Sequence, residues 1–338
     1  MKKGRSFLLV VTAFTLFLSA CGAPASATPA SVTPVCTPQA AGASASQLVI
    51  GTGGKGGVFY PYGEGLARIL SADLPGVSAS FLETGGSVDN MKFIQSGKIQ
   101  LGFSTVDSAF DAVQGQGAYA ATGKVPACAL AVLYTSFVHV IASEASGIGS
   151  VAQMKGKIVS VGDKGSSTEG AADRILEAAG LNSQSDITRQ NLSIADATSA
   201  MAAGKIDAFF WIGGLPTKAV SDMLATGVKV KFLDASAYVQ PMAAKYGPVY
   251  RALNLPKSIY GTGADIPGMG IGNILFVNAN MPEEQAYQIL KTIFAHLDEV
   301  HALHPQAKDL ILADAVVGSS IPFHPGAIRF YKEQGVWK

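Results

Sequence analysis

Four turns rich in glycine, serine and threonine are the segments of this sequence with the clearest potential for chemistry. Each follows a predicted strand and precedes a predicted helix, and they span residues 51–57, 84–87, 165–168 and 213–217. The first N–H groups of a helix have no partner within the helix, and the helix dipole adds partial positive charge there. Each turn can therefore bind a carboxylate or phosphate, or serve only as an ordinary capped turn.

The first turn also fits a dinucleotide-binding fingerprint. Gly51, Gly53 and Gly56 have the required spacing, and Glu83 at the end of the next strand is placed to hold a ribose. Against this interpretation, residues 58–61 are expected to intervene before the helix. The phosphate-loop pattern fails because Gly57, rather than lysine, follows Gly56. A secreted dinucleotide-dependent oxidoreductase stays as the less favoured alternative function.

The remaining reactive residues form no recognisable catalytic or metal-binding pattern. His296, His301 and His304 lie on or beside one late helix without metal-ligand spacing, and His139 falls in an apolar strand, where a hydrogen-bonded core role is expected. The sequence contains no Gly-x-Ser-x-Gly nucleophile elbow. We predict a protein that is not an enzyme, with no catalytic residue, no metal and no cofactor.

Two carboxylates and three aromatic residues adjoin the turns. Asp107 and Glu169 could meet a ligand ammonium group or only favour a helix N-terminus, and the second role is preferred for Glu169. Tyr60, Tyr134 and Trp211 could pack on the methylene groups of a ligand or donate a hydrogen bond. For Trp211, simple core packing is an equal alternative.

The elements that carry these turns follow the pattern of a parallel α/β fold. From residue 47 onward, short apolar runs alternate with helical patterns, and the same order occurs twice: residues 96–101 are echoed by residues 203–208. Two apolar stretches, 130–141 and 271–277, could carry the chain between the two parts. We predict a first lobe of residues 47–136 plus 275–338, a second lobe of residues 137–274, and a ligand cleft between them.

Composition agrees with a folded, two-domain protein. Of the 338 residues, 48% are hydrophobic and 14% are charged, which excludes a disordered chain. The formal net charge is +1, and loss of Lys2, Lys3 and Arg5 with the N-terminal segment leaves −2. Without a basic face, nucleic acid is not expected as a partner.

The N-terminus has the features of a bacterial lipoprotein signal. Three basic residues precede an apolar run over residues 7–17, too short to span a membrane, and Leu-Ser-Ala-Cys at 18–21 resembles a lipobox. We predict a signal peptide over residues 1–20, lipidation of Cys21, and a disordered tether over residues 21–46. A cleaved signal that merely contains a cysteine is the alternative. The protein is expected to be extracytoplasmic and held at the cell membrane by its lipid alone.

Two cysteines remain after Cys21. Cys36 lies in the predicted tether and Cys128 in the folded part, and outside the cytoplasm two such thiols can pair or stay free. A disulfide between them is one of two open possibilities.

Several motifs together resemble the TAXI family of TRAP transporter solute receptors. They are Ile-Gly-Thr-Gly-Gly at 50–54, Val-Phe-Tyr-Pro at 58–61, Glu-Thr-Gly-Gly-Ser-Val-Asp-Asn at 83–90, Val-Ser-Val-Gly at 159–162, Ser-Ser-Thr-Glu at 166–169, Phe-Trp-Ile-Gly-Gly-Leu-Pro-Thr at 210–217 and Ile-Pro-Phe-His-Pro-Gly at 321–326. The resemblance implies a two-lobe α/β fold like that of type II periplasmic binding proteins. It also implies a monomeric receptor that closes on a glutamate-like amino acid or a dicarboxylate and passes it to the subunits of a TRAP membrane permease.

The resemblance also implies a set of ligand-binding residues. They are Gly53, Gly54, Tyr60, Thr84, Gly85, Ser87, Thr105, Tyr134, Ser166, Ser167, Thr168, Trp211, Gly213, Pro216 and Thr217. The sequence departs from the family pattern at Tyr134-Thr135-Ser136 and at Thr105, so the identity of the ligand does not carry over. A receptor for an ABC importer, which shares the fold, is the alternative among binding proteins.

Overall fold

The computed structural model of the protein describes residues 1, 36 and 44–337. The predicted signal peptide, the lipidation site Cys21 and most of the predicted tether lie outside the described residues. The part from residue 44 onward contains ten β-strands and eleven α-helices.

The strands are β1 (Gln47–Gly51), β2 (Ser78–Leu82), β3 (Leu101–Thr105), β4 (Ala127–Ser143), β5 (Ile158–Ser160), β6 (Thr188–Gln190), β7 (Ala208–Gly213), β8 (Val230–Phe232), β9 (Tyr250–Leu255) and β10 (Ile266–Asn278). The helices are α1 (Phe59–Asp73), α2 (Ser87–Gln95), α3 (Val106–Gln114), α4 (Ser167–Ala178), α5 (Ile194–Ala202), α6 (Lys218–Ala225), α7 (Val239–Tyr246), α8 (Lys257–Tyr260), α9 (Glu283–Ala295), α10 (Leu297–Leu303) and α11 (Pro325–Glu333).

Strand order repeats between two parts of the sheet. The order is β2-β1-β3-β10 in what we call the first half and β6-β5-β7-β4 in the second half, within one continuous sheet. In each half three strands pair in parallel and the fourth is antiparallel. The repeated strand–turn–helix order of the sequence therefore corresponds to a repeated topology, and the carboxyl ends of the parallel strands carry the glycine-rich turns of each half.

The two long strands β4 and β10 connect the halves. They pair with each other from Ala127↔Asn278 to Phe137↔Gly270. From Phe137 onward β4 pairs with β7 of the second half, and β10 also pairs with β3 of the first half. They contain the apolar stretches that the sequence suggested as connections, while the exact lobe boundaries stay a prediction.

Helices cover both faces of the sheet because their apolar sides need a buried surface. Leu66 of α1, Leu290 of α9 and Phe330 of α11 are buried together on one face of the first half. Met201 of α5 and Val220 of α6 are buried together against β7. A third buried cluster includes residues of α2, α3 and α4 on the opposite side.

Residues at the helix termini determine where several helices begin or end. Ser166 and Ser193 cap α4 and α5, each side-chain oxygen accepting a hydrogen bond from an N–H in the first turn of its helix. Gly115 ends α3 in the left-handed conformation, with φ of +70°. One expectation is corrected: residues 58–61 do not separate the first turn from α1, because Phe59 already begins the helix. Pro61 is compatible with this start because the N–H groups of a first helical turn have no intrahelical acceptor, so proline removes no hydrogen bond there.

Candidate ligand-binding site

One cavity, which we call the central cavity, lies where loops from both halves converge, and its empty volume is about 590 Å³. This volume includes space that is open to solvent, and a lining of apolar groups with a few polar ones is typical of sites for small molecules. The residues that line it are Gly53, Gly54, Gly57, Val58, Phe59, Gly85, Gly86, Ser87, Thr105, Tyr134, Ser136, Asp163, Ser166, Ser167, Thr168, Ser193, Ile194, Trp211, Ile212, Gly213 and Asn273.

The structure brings most of the sequence-predicted ligand set to this cavity. The eleven that line it are Gly53, Gly54, Gly85, Ser87, Thr105, Tyr134, Ser166, Ser167, Thr168, Trp211 and Gly213. They come from all four glycine-rich turns and from β3, β4 and β7, which are far apart in sequence. A ligand in the central cavity would therefore touch both halves.

Four predicted ligand residues do not line the cavity. The Tyr60 ring packs edge-on against Phe81, with centroids 5.4 Å apart. Thr84 donates a hydrogen bond from its hydroxyl to the carbonyl oxygen of Thr52 at 3.0 Å. Pro216 is exposed, and Thr217 Oγ1 accepts a hydrogen bond from Trp211 Nε1 at 3.0 Å. These residues support neighbouring elements instead of facing the cavity.

The N-terminus of α2 is largely satisfied by the protein itself, contrary to the expectation that its amides face a ligand. The N–H groups of Val88 and Asp89 both donate to the carbonyl oxygen of Gly165, each at 3.1 Å. Asp89 Oδ2 accepts from the N–H of Gly85 at 3.1 Å. These bonds join α2 of the first half to the turn before α4 of the second half. Ser87 lines the cavity; its Oγ accepts a hydrogen bond from the N–H of Thr105 at 3.1 Å, so the hydroxyl proton is what it can offer to a ligand.

Glycine is required at this contact between the halves. A Cβ atom on Gly85 would lie 2.4 Å from the carbonyl oxygen of Lys164, and one on Gly165 would lie 2.3 Å from Asp89 Oδ1. Gly165 also has a φ of +81°, which favours glycine. The glycines therefore allow the two turns to approach each other closely.

The N-terminus of α4 is more available to a ligand. Ser166 Oγ accepts from the N–H of Glu169 at 3.2 Å and donates to the carbonyl oxygen of Asp163 at 2.7 Å, so it acts as the cap. Thr168 Oγ1 accepts from the N–H of Ile212 at 3.2 Å, which ties α4 to β7. The N–H groups of Ser167 and Thr168 belong to the first helical turn and have no intrahelical acceptor. This end of the cavity can bind an anionic group.

Formal charge is scarce around the cavity. Among its lining residues Asp163 is the one that carries a full charge when ionised, and none is Lys, Arg or His. Burial raises the pKa of Asp163, and the nearby carboxylates of Asp89, Asp196 and Glu169 add to the rise. Lys164, in the turn before α4, is exposed. Any anion would therefore be held by N–H and hydroxyl groups.

Aromatic and aliphatic side chains form the other walls. Phe59 stacks on Phe103 with ring centroids 5.2 Å apart and meets the Tyr134 ring edge-on at 6.5 Å. Ile194 and Trp211 line the cavity from the second half. Trp211 donates to Thr217, packs against the buried cluster beside β7 and also lines the cavity, so its contact with a ligand stays a prediction.

Asn273 is a lining residue that sequence reasoning missed. It lies in β10 where the pairing with β4 shifts register between Gly272 and Ile274, a bulge of the kind that redirects side chains near functional sites. Asn273 Nδ2 donates to Ser136 Oγ at 2.9 Å and to the carbonyl oxygen of Tyr134 at 3.2 Å. A polar residue within an otherwise apolar strand was the available signal. Ser136, Asp163 and Ser193 also line the cavity and were not proposed as ligand residues.

His139 has the structural role that the sequence indicated. Its Nδ1 lies 3.1 Å from the carbonyl oxygen of Phe137 and 3.2 Å from that of Trp211, so this nitrogen carries the proton. Nε2 then accepts from the hydroxyl of Tyr260 at 3.1 Å, and that hydroxyl accepts from the N–H of Thr217 at 2.7 Å. Burial lowers the pKa of His139 to about 4. These hydrogen bonds, which run from His139 through Tyr260 to Thr217, hold the turn at residues 213–217.

Asp107 and Glu169 also bond to protein groups. Asp107 Oδ2 accepts from the hydroxyl of Tyr250 at 3.2 Å, and Glu169 pairs with Arg189 at 2.9 Å. Neither lines the central cavity. Within residues 44–337 no group of three or more His, Cys, Asp or Glu is placed to hold a metal ion. None of the helices described for this stretch has the length and apolarity needed to cross a lipid bilayer.

Several solved structures resemble this chain at low sequence identity. A protein of Bordetella bronchiseptica RB50 is 16% identical over 85% of this chain and 89% of its own, with a TM-score of 0.51. The periplasmic aliphatic sulphonate binding protein SsuA of Escherichia coli is 20% identical over 86% of this chain and 84% of its own, with a TM-score of 0.47. The alkanesulfonate-binding protein SsuA of Xanthomonas axonopodis pv. citri is 19% identical over 88% and 96%, with a TM-score of 0.45.

These likenesses concern the fold alone. The repeated strand order confirms the predicted α/β fold, and the Bordetella protein, with a TM-score of 0.51, is a solved structure that shares it. A family model matches residues 50–335, which is nearly the whole part of the chain that the structure describes. By this match the chain belongs to the NMT1-like family.

Proposed function

We propose that the protein is an extracytoplasmic solute-binding receptor that closes around a small organic acid and delivers it to a membrane transporter. The observation that carries the proposal is the central cavity, in which loops from both halves present N–H groups, hydroxyl groups and apolar walls to one small volume. Contacts from both halves would stabilise a closed state over an open one. No bond is made or broken.

The transporter that we favour is a TRAP permease with a receptor of the TAXI type. The motifs at 50–54, 83–90 and 210–217 support this class, and their turns line the cavity. In this proposal the receptor is a monomer held at the membrane by a lipid on Cys21. The fold also suits a receptor of an ABC importer. A neighbouring gene for an ATPase would decide for the importer, and a neighbouring gene for a multi-spanning permease would decide for the TRAP system.

The contacts of Glu83 argue against dinucleotide binding. Glu83 Oε1 accepts from the N–H of Lys55 at 3.3 Å, and Glu83 does not line the central cavity. The acidic residue that would hold a ribose is therefore engaged elsewhere. A thermal-shift panel of organic acids, amino acids and NAD separates this alternative from the receptor, because stabilisation by NAD alone would favour the oxidoreductase.

Intrinsic fluorescence offers a direct test because the chain has two tryptophans, Trp211 at the cavity and Trp337 near the C-terminus. A bound acid from the panel should change the emission. Trp211→Phe should abolish the change, whereas Trp337→Phe should preserve it. An emission change that depends on Trp337 alone would place binding elsewhere.

Two hydroxyl groups on opposite sides of the central cavity test whether the acid binds there. Ser87→Ala combined with Thr168→Val should weaken binding by more than about tenfold in calorimetry, since a hydrogen bond to a charged group contributes about 1.5–3 kcal/mol. Thr226→Val is the control, because its hydroxyl bonds to the Met223 carbonyl oxygen at 2.7 Å, away from the cavity. Unchanged affinity in the double variant would contradict the proposed site.

A further inference from the structure

Asn273 leaves a buried hydrogen-bond acceptor unsatisfied beside the central cavity. Its side chain is fully buried, and Oδ1 has no hydrogen-bond partner among the described residues. The orientation of the amide is fixed, because Nδ2 faces the carbonyl oxygen of Tyr134 and needs to be the donor there. Oδ1 is therefore the acceptor that remains. A buried acceptor without a donor is unfavourable, so its presence at a cavity calls for a donor from a ligand.

The charge of the lining residues also favours a ligand that carries a hydrogen-bond donor. Asp163 is the lining residue with a full negative charge when ionised, and no lining residue carries a positive charge at neutral pH. A dicarboxylate would bring two further negative charges into a site with no cation, and burial of uncompensated charge is costly. A zwitterion has no net charge, and its ammonium group supplies a donor for Asn273 Oδ1 and a positive charge for Asp163, both of which line the cavity.

Other parts of the cavity can bind the carboxylate and the side chain of a zwitterionic amino acid. The first turn of α4 can bind one carboxylate through N–H groups, since this is a twelve-residue helix with its dipole directed at the cavity. Phe59, Ile194 and Trp211 supply an apolar wall for a side chain. Resting on the proposed function, we infer that the solute is a neutral α-amino acid with an apolar side chain, and that Asn273 Oδ1 accepts a hydrogen bond from its ammonium group.

Matched pairs of acids test this inference on the purified protein. L-Leucine, L-valine and L-phenylalanine are each compared by calorimetry with the 2-oxo acid of the same skeleton, and succinate is added as a dicarboxylate. At least one amino acid should bind about tenfold or more tightly than its 2-oxo acid and than succinate, because only the amino acid carries the donor.

Variants of Asn273 and Asp163 test whether these two residues cause the preference for an amino acid over its 2-oxo acid. Asn273→Leu and, separately, Asp163→Asn should each reduce the ratio of amino acid to 2-oxo acid affinity by about fivefold or more. Asn280→Leu, at an exposed position after β10, should leave the ratio unchanged. Because the measured quantity is a ratio of two affinities, a variant that weakens binding of both ligands equally leaves it unchanged. If Asn273→Leu fails to fold, Asp163→Asn still tests the inference.

The outcomes separate this inference from the proposed function. Tight binding of a 2-oxo acid or succinate with no preference for amino acids would overturn the inference and leave the receptor for organic acids in place. A preference that survives both variants would also overturn the role of Asn273 and Asp163. Absence of binding by every acid tested would overturn both proposals.

Discussion

At the scale of single residues, His139 couples the stability of the protein to pH. Its pKa is lowered from 6.5 to about 4 by burial, so the folded protein holds it neutral while the unfolded chain is protonated below pH 6.5. The stability from the neutral form is present above pH 6.5 and is lost as the pH falls towards 4. Each pKa unit corresponds to about 1.4 kcal/mol, so the full loss is about 3 kcal/mol.

The measurement is urea unfolding between pH 7 and pH 4.5 on the wild type and on His139→Gln. The variant should be less stable at pH 7, because the bond from Tyr260 is disturbed, but its free energy of unfolding should fall less steeply as the pH is lowered. Parallel pH profiles for the two proteins would show that His139 is not the group responsible. Burial also lowers the pKa of His324, which would account for part of the slope that remains in the variant.

At the scale of elements, the contact between the α2 and α4 turns should control closure. Gly85→Ala places a Cβ atom 2.4 Å from the carbonyl oxygen of Lys164, so the two turns must separate. We expect ligand affinity to fall by about tenfold or more, while the unfolding midpoint changes little, because the clash affects the approach of the halves. Gly170→Ala is the matched control, since its added methyl group meets nothing within 4 Å. Equal affinities in the two variants would contradict this role.

Helices and strands could be predicted from the sequence where apolar residues recur at a regular spacing and glycine or serine marks an end, and the others could not. β1, β2 and α4 have regular apolar patterns and glycine or serine at their ends. α3 was missed because Asp107 and Asp111 are buried on it, which hides its apolar side. Their partners, Arg174 and Tyr250, are distant in the sequence.

The same limit applies to the site. The glycine-rich turns carry a local signal, so the residues around Gly53 and Ser166 could be proposed as ligand residues. The position of Asn273 depends on Tyr134 and Ser136, which lie 139 and 137 residues away, and on a bulge that only the paired strands define. The motif match included Tyr60 and Thr217 in the ligand set, but they do not line the central cavity, because a motif does not show which side chain points inward.

At the scale of the molecule, the structure joins Cys36 to Cys128 of β4 in a disulfide, with Cα atoms 6.1 Å apart and a sequence separation of 92. A covalent link over so long a loop restricts the unfolded chain strongly. The double variant Cys36→Ser/Cys128→Ser should lose about 2–4 kcal/mol of unfolding free energy, measured in urea. Thiol titration of the non-reduced protein should find both thiols blocked. Two free sulfhydryls would show that the pair does not form in solution.

The long strands β4 and β10 have a consequence for the receptor mechanism that we propose. These strands have 17 and 13 residues and are hydrogen-bonded to each other from Ala127↔Asn278 to Phe137↔Gly270, rather than serving as two separate linkers. Any opening movement therefore has to bend or twist this pair of strands, which resists elastically and returns the halves towards one rest position. In the receptor that we propose, the stiffness of this pair of strands would set the amplitude of opening, so we expect release of the solute to involve a small elastic bend instead of free rotation.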